Sequence, residues 1–229
     1  SIELASLSGR LAARVSKNGF VLKGQQLALA TRPDAHGKGS GEESVRIEPT
    51  DFLVEWQSPE DGAEMSGKAS ANRLDLSALG RLAERLPLGA QARSLLADYA
   101  PQGRVADLSV RWRGTPEQLK SYALKARFDE MAVKAQGYFP GFTGISGSLE
   151  ASETGGDVTI TSQQSSLHLP TVFPASRIEL DSLNARAQWK IGETGLDAEL
   201  TRIDFTGPDA AGSAQGRYRN SGDGPGTID

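Results

Sequence analysis

An alternation of apolar and polar residues, repeated along most of the chain, is the feature that most restricts its fold. Five segments of 23 to 25 residues each contain two alternating runs joined at Gly, Pro, Asn, Asp or Glu; they span residues 7–29, 52–76, 108–131, 145–169 and 183–205. Successive side chains of a β-strand point to opposite faces of the sheet. The sequence therefore predicts a mainly β fold of repeated antiparallel hairpins, with one apolar and one wet face.

One stretch departs from this pattern. Residues 75–103 predict a helical insert, with helix near 77–99, because apolar side chains recur there at helical spacing. Asp75 or Ser77 can cap its start, and Pro87 is expected to divide it. The polar stretch 32–44 predicts a flexible loop.

The stretch "GFTGISGSLEASETGG" (141–156) contains five glycines, a composition that also occurs in phosphate-binding loops. Such a loop requires a helix directly after the glycines. Here the alternation continues instead. We expect Gly144 and Gly147 to lead into the fourth hairpin, and Gly155 and Gly156 to form its turn.

Composition argues against several functional classes. The net charge of −4 is unlike that of duplex nucleic-acid binders, and the absence of cysteine removes thiolate chemistry and Cys-type zinc sites. His36 and His168 are far apart, and Asp129 and Glu130 are most simply exposed charges. Neither a metal site nor a catalytic set is predicted.

Two short helices cannot cover the apolar face of so large a sheet. Ten strands span about 48 Å at roughly 4.8 Å each, and a helix about 10 Å wide covers about two of them. The sheet either folds on itself into a sandwich or barrel, or leaves an open apolar groove for a ligand. The alternation allows both. Similarly, Trp56, Trp112 and Trp189, late in the first strands of their hairpins, are either core or interface aromatics or the lining for an apolar ligand.

For an open groove, the alternation predicts which residues occupy each face. The predicted groove lining is Val110, Trp112, Leu124, Phe128, Val158, Ile160, Leu167, Leu169, Trp189 and Leu200. The predicted opposite face carries Arg111, Arg113, Lys125, Arg127, Arg186 and Lys190.

Two longer segments resemble the large AsmA-like proteins of Gram-negative bacteria, specifically the YhdP type. "LPLGAQARSLLADYAPQGRVADLSVRWRG" (86–114) is similar to a helix-then-strand element of that family. Residues 138–173 resemble a unit in which Pro-Gly precedes a small-residue strand, a double-Gly turn, and a strand ending in Leu-Pro and an aromatic residue. The residues that match are Pro140, Gly141, Gly155, Gly156, Leu169, Pro170 and Phe173. The terminal "GPGTID" is similar to the entry to a next unit, so the resemblance covers residues 45–229.

The resemblance implies a long, twisted, taco-shaped antiparallel sheet with an apolar groove, similar in plan to TamB and to chorein-type bridge-like lipid transfer proteins. It implies that 1–229 is one continuous β-groove fragment of a larger periplasmic protein, anchored in the inner membrane by an N-terminal helix outside this sequence. The implied function is conduction of phospholipid toward the outer membrane. Expected partners are phospholipid acyl chains, the inner membrane and other envelope proteins, with no nucleic acid.

Such a groove requires no catalytic residue, cofactor or metal, so no enzyme is expected. Two other functions stay open. One is a β-rich envelope scaffold or assembly protein with a closed core and no lipid. The other is an envelope hydrolase, which requires a convergent carboxylate pair or a Ser–His contact near His168 or Asp129.

Overall fold

The fold is one large antiparallel sheet whose strands follow each other in sequence order. The structure is a computed structural model that describes residues 4–32, 44–58, 64–83, 90–115, 118–137, 139–170, 177–193, 195–220 and 226–229. Its twelve strands form a single sheet in the order β1 to β12. Within these residues β1 pairs only with β2, and β12 only with β11. The sheet is therefore open, and the predicted mainly β fold is confirmed.

The strands are β1 (Leu4–Ser16), β2 (Gly19–Thr31), β3 (Arg46–Gln57), β4 (Ser66–Asp75), β5 (Gln102–Gly114), β6 (Leu119–Val133), β7 (Gly141–Ser152), β8 (Gly155–His168), β9 (Arg177–Gly192), β10 (Gly195–Thr206), β11 (Ala211–Asn220) and β12 (Thr227–Ile228). Two helices, α1 (Leu76–Ala83) and α2 (Ala90–Tyr99), lie between β4 and β5.

Each of the five predicted hairpins is present, and its strands are longer than the alternation indicated. The sequence analysis missed β11 and β12. The physical reason lies in the sequence of β11, "AGSAQGRYRN", which contains small and polar residues but no alternating apolar series. The predicted loop at 32–44 and the predicted break at Pro87 lie mostly or wholly outside the described residues.

Helix α1 begins where the sequence predicted and packs on the apolar face of the sheet. The Ala78 backbone N–H donates a hydrogen bond of 2.9 Å to Oδ1 of Asp75, which makes Asp75 the N-cap. Ala78 and Leu82 are 0% and 5% exposed and pack against Val45. Leu29 and Ile47, cross-strand partners in β2 and β3, complete this cluster.

Beta-bulges interrupt many of the strands partway along their length. Gln26, Glu130 and Gln164 have φ of 49°, 51° and 52°, values that non-glycine residues rarely adopt. Each faces a glycine that also has positive φ on an adjacent strand; the pairs are Gly9 with Gln26, Gly103 with Glu130, and Gly144 with Gln164. Bulges bend a strand and increase its twist. A row of them across neighbouring strands therefore bends the whole sheet.

Backbone groups freed by a bulge are satisfied from the next strand. The N–H of Gln26 donates to Oδ1 of Asp51 at 2.7 Å. The N–H of Asp51 donates in turn to Oδ1 of Asn72 at 2.9 Å. Because unpaired backbone donors are costly, these side chains stabilise the bend.

The sheet curves toward its apolar face. Ile145, Leu180 and Leu183 are only 4% to 6% exposed, although α1 packs elsewhere, against Val45. Residues on a flat, uncovered face would remain accessible to water. These three residues are buried by their neighbours on β6 to β10, which are Phe128, Met131, Phe142, Ile160, Leu167, Ile178, Ile203 and Phe205.

Candidate functional site

The strand register places the predicted lining residues on one face. Val110 pairs with Leu124, and Leu124 pairs with Ala151 on the next strand. Cross-strand partners share a face, so each pair carries the assignment one strand further. In this way β5 to β10 place on one face Val110, Trp112, Leu124, Phe128, Val158, Ile160, Leu167, Trp189 and Leu200. We call it the groove face. Leu169 follows the last residue of β8 and lies outside the ladder.

The opposite face carries the six basic residues that the alternation assigned to it. Lys125 pairs with Glu150 and Arg127 with Asp107 on neighbouring strands. The Glu150 carboxylate raises the pKa of Lys125 through its hydrogen bond and its charge. Exposed ion pairs of this kind add little stability. Their charges keep this face of the sheet hydrated.

Aromatic rings on the groove face lie flat over glycines of the neighbouring strand. A Cβ added to Gly67 would lie 2.1 Å from Cζ2 of Trp112, its register partner. A Cβ added to Gly156 would lie 2.6 Å from Cζ2 of Trp189. Gly24 stands in the same relation to Phe52, at 2.2 Å. Each ring therefore lies in space that a side chain on the facing glycine would need.

The glycines of 141–156 therefore have roles different from those expected. Gly144 lies within β7 at a bulge with φ of 71°, and Gly147 lies beneath Phe128. Gly155 and Gly156 begin β8, and the turn itself is Glu153–Thr154. The prediction that they form the turn was wrong. Strand β8, rather than the helix that a phosphate-binding loop requires, directly follows the glycines.

Asp129 forms polar contacts that stabilise the bulge at Glu130. It accepts hydrogen bonds from Nη2 of Arg104 at 2.5 Å and from Oγ of Ser146 at 3.2 Å. The Arg104 guanidinium, and secondarily Ser146, lower the pKa of the Asp129 carboxyl. Ser146 Oγ also accepts from the N–H of Glu130 at 3.0 Å, and Ser162 Oγ accepts from the N–H of Ser146 at 2.9 Å.

This arrangement is typical of a structural ion pair. A glycosidase acid requires a raised pKa, which is the opposite of what Arg104 produces at Asp129. His168 is exposed at the end of β8, and His36 lies outside the described residues. Among the described residues, no three His, Asp or Glu side chains are grouped so as to hold a metal ion.

The sequence analysis missed two features of this face. One is the glycine beneath each ring, for which the only signal is a glycine opposite an aromatic residue once the register is known. The other is the position of α1, which occupies the groove face over Leu29 and Ile47. Helical periodicity predicts an apolar stripe but does not say which part of a sheet it will cover.

No helix in the described part of the chain is both long and apolar enough to cross a bilayer. The family model described as YhdP protein matches residues 1–229. No curated protein and no solved structure gives a significant match.

Proposed function

Since the chain belongs to the YhdP family, we propose that its groove face binds phospholipid acyl chains and forms one segment of a bridge-like path for lipid. The observation that carries this proposal is the open, concave sheet whose predicted lining residues share one face. The body of such a protein lies in the periplasm of a Gram-negative bacterium, held at the inner membrane, with the path leading toward the outer membrane.

The energetics favour acyl chains as the occupant. Burial of a chain stabilises the complex by about 0.8 kcal/mol per methylene, or roughly 10 kcal/mol for a dozen methylenes before ordering costs. Strips of apolar side chains bind any position of a chain about equally well. A lipid can therefore move along the groove without crossing a large barrier.

A scaffold that only contacts other proteins is the second candidate. It was expected to have a closed core, whereas this sheet has two separate edges in the described residues. An open apolar face requires an occupant, which a scaffold does not by itself provide. Envelope partners could still bind outside the groove.

The test is a charge placed in the groove. Val110 and Val158 are half-buried on the groove face and lie outside the packed cluster around Leu183. We expect Val110→Asp combined with Val158→Asp to remove most of the phospholipid that co-purifies with the chain, measured by extraction and mass spectrometry. Ile160 is a poorer choice, because it packs on that cluster and its replacement would also destabilise the fold.

Ser109→Asp is the matched control. Ser109 is exposed, adjacent to Val110, and points to the opposite face beside Lys125. The Ser109→Asp substitution should leave both the lipid content and the circular dichroism spectrum unchanged. Equal lipid content in the groove variant and the control, with both folded, would refute the proposal.

A further inference from the structure

Aromatic residues on the groove face are concentrated near the ends of strands at the hairpin turns. One register row crosses β2 to β6, and a second crosses β7 to β11. The first row consists of Phe20, Trp56, Gly67, Trp112 and Tyr122. The second consists of Ala151, Gly156, Trp189, Ala198 and Tyr218. We call these rows the turn-side rim; they contain all three tryptophans of the chain.

The other half of the groove face has a different composition. Beyond the bulges it is lined by aliphatic residues, Met and Phe, and it contains the buried cluster of Ile145, Leu180 and Leu183. Rings on the rim are only half-buried, and Trp56 remains 36% exposed. Tryptophan and tyrosine favour the boundary between a hydrocarbon region and water, because an apolar ring carries a polar N–H or O–H.

Polar groups on this rim have capacity to bind a ligand. Among the described residues, none accepts a hydrogen bond from Nε1 of Trp56, Trp112 or Trp189. An indole N–H is a suitable donor for the ester and phosphate oxygens of a lipid.

The dimensions agree with a lipid lying along the strands. Six residues separate Trp189 from Leu183, which is about 20 Å at roughly 3.3 Å per residue. The hydrocarbon depth of one leaflet is about 15 Å, half of a bilayer core. At the far ends of β2 and β3, α1 covers the groove face with Ala78 and Leu82. Apolar protein therefore closes the side opposite the aromatic rim at β2 and β3.

We propose that the turn-side rim is the head-group rim of the groove. Phospholipid glycerol and phosphate groups lie at the tryptophan rows, and the acyl chains extend toward the aliphatic half with their methyl ends near Leu180 and Leu183. This inference rests on the proposed function and adds a fixed orientation of the lipid to it. The tryptophan N–H groups are the binding groups.

Intrinsic fluorescence tests the orientation, because every tryptophan lies on this rim. The chain is loaded with phosphatidylcholine brominated either near the glycerol end or near the methyl end of the acyl chain. We expect the glycerol-end bromines to quench at least about twice as strongly. Stronger quenching by the methyl-end bromines, or equal quenching by both, would overturn the proposal.

A second variant moves the reporter to the other half of the groove. Trp56, Trp112 and Trp189 are replaced by Phe, and Phe142→Trp is introduced in the aliphatic half. The quenching order should then reverse. If that variant fails to fold, the comparison in the natural sequence still decides the question. If lipid is recovered by extraction but neither probe quenches the fluorescence, the rim assignment alone is contradicted. If no lipid is recovered, the proposed function itself is contradicted.

Discussion

The glycines beneath aromatic rings show how single residues determine the shape of the groove floor. The three atoms nearest to a Cβ added at Gly67 all belong to the indole of Trp112. The Trp112 indole can lie against β4 because Gly67 has no side chain beneath it. Hydropathy patterns record glycine only as a turn or a weak strand residue, so this role became visible only with the register.

Replacement of Gly67 by Ala should displace the Trp112 ring from its position against the sheet. We expect a loss of about 1 to 3 kcal/mol in the free energy of unfolding, the usual cost of overpacking, measured by urea denaturation. Gly192→Ala is the control, since no atom lies within 4 Å of its added Cβ; it should change stability by less than about 0.5 kcal/mol. Equal stability of the two variants would show that the ring is not held by Gly67.

Asp129 makes a pH-dependent contribution to stability. Because Arg104 lowers the pKa of Asp129 in the folded state, the stabilisation is present above the unfolded pKa of about 3.9 and is lost as the pH falls through the folded value. Asp129→Asn should cost less than about 1 kcal/mol at neutral pH, since the pair is solvent-exposed. The difference from the natural chain should disappear in acid. A difference that persists unchanged at low pH would contradict this assignment.

Local elements could be predicted well where one short-range rule governs them. The hairpins follow from a period of two, and α1 begins at Asp75 because a carboxylate caps a free N–H there. The bulges could not be predicted, because the positive φ of Gln26 and Glu130 is accompanied by hydrogen bonds that their N–H groups donate to side chains of an adjacent strand. Helix α2 is less buried than the apolar residues at helical spacing in 75–103 led us to expect. Leu95, one of those residues, is 52% exposed.

The contrast between the two helices gives a prediction for α1. Leu82 is 5% exposed and packs on Val45. Leu82→Ala should therefore reduce the local opening free energy of α1 by about 2 to 3 kcal/mol, measured by amide hydrogen exchange. Leu95→Ala should leave exchange in α2 almost unchanged. Similar effects in both helices would mean that α1 is not docked on the groove face.

At the scale of the whole molecule, alternation could not distinguish a closed sandwich from an open groove. Both place apolar residues on one face, and the difference lies in whether distant strands meet. Here strands pair only with their neighbours in sequence, from β1 to β12, and bulges supply the curvature that partly buries the apolar face. The family resemblance favoured the open form before the structure did, because it carried information about long-range pairing that periodicity lacks.

The central claim is that one face of this sheet contacts lipid and the other does not. Photo-crosslinking along β8 tests it most directly, with a benzophenone side chain placed in turn at Val158, Thr159 and Thr161. We predict phospholipid adducts at Val158 and none at Thr159 or Thr161, since these residues alternate between the faces. Adducts of equal yield at all three positions, or at the two threonines alone, would contradict the account.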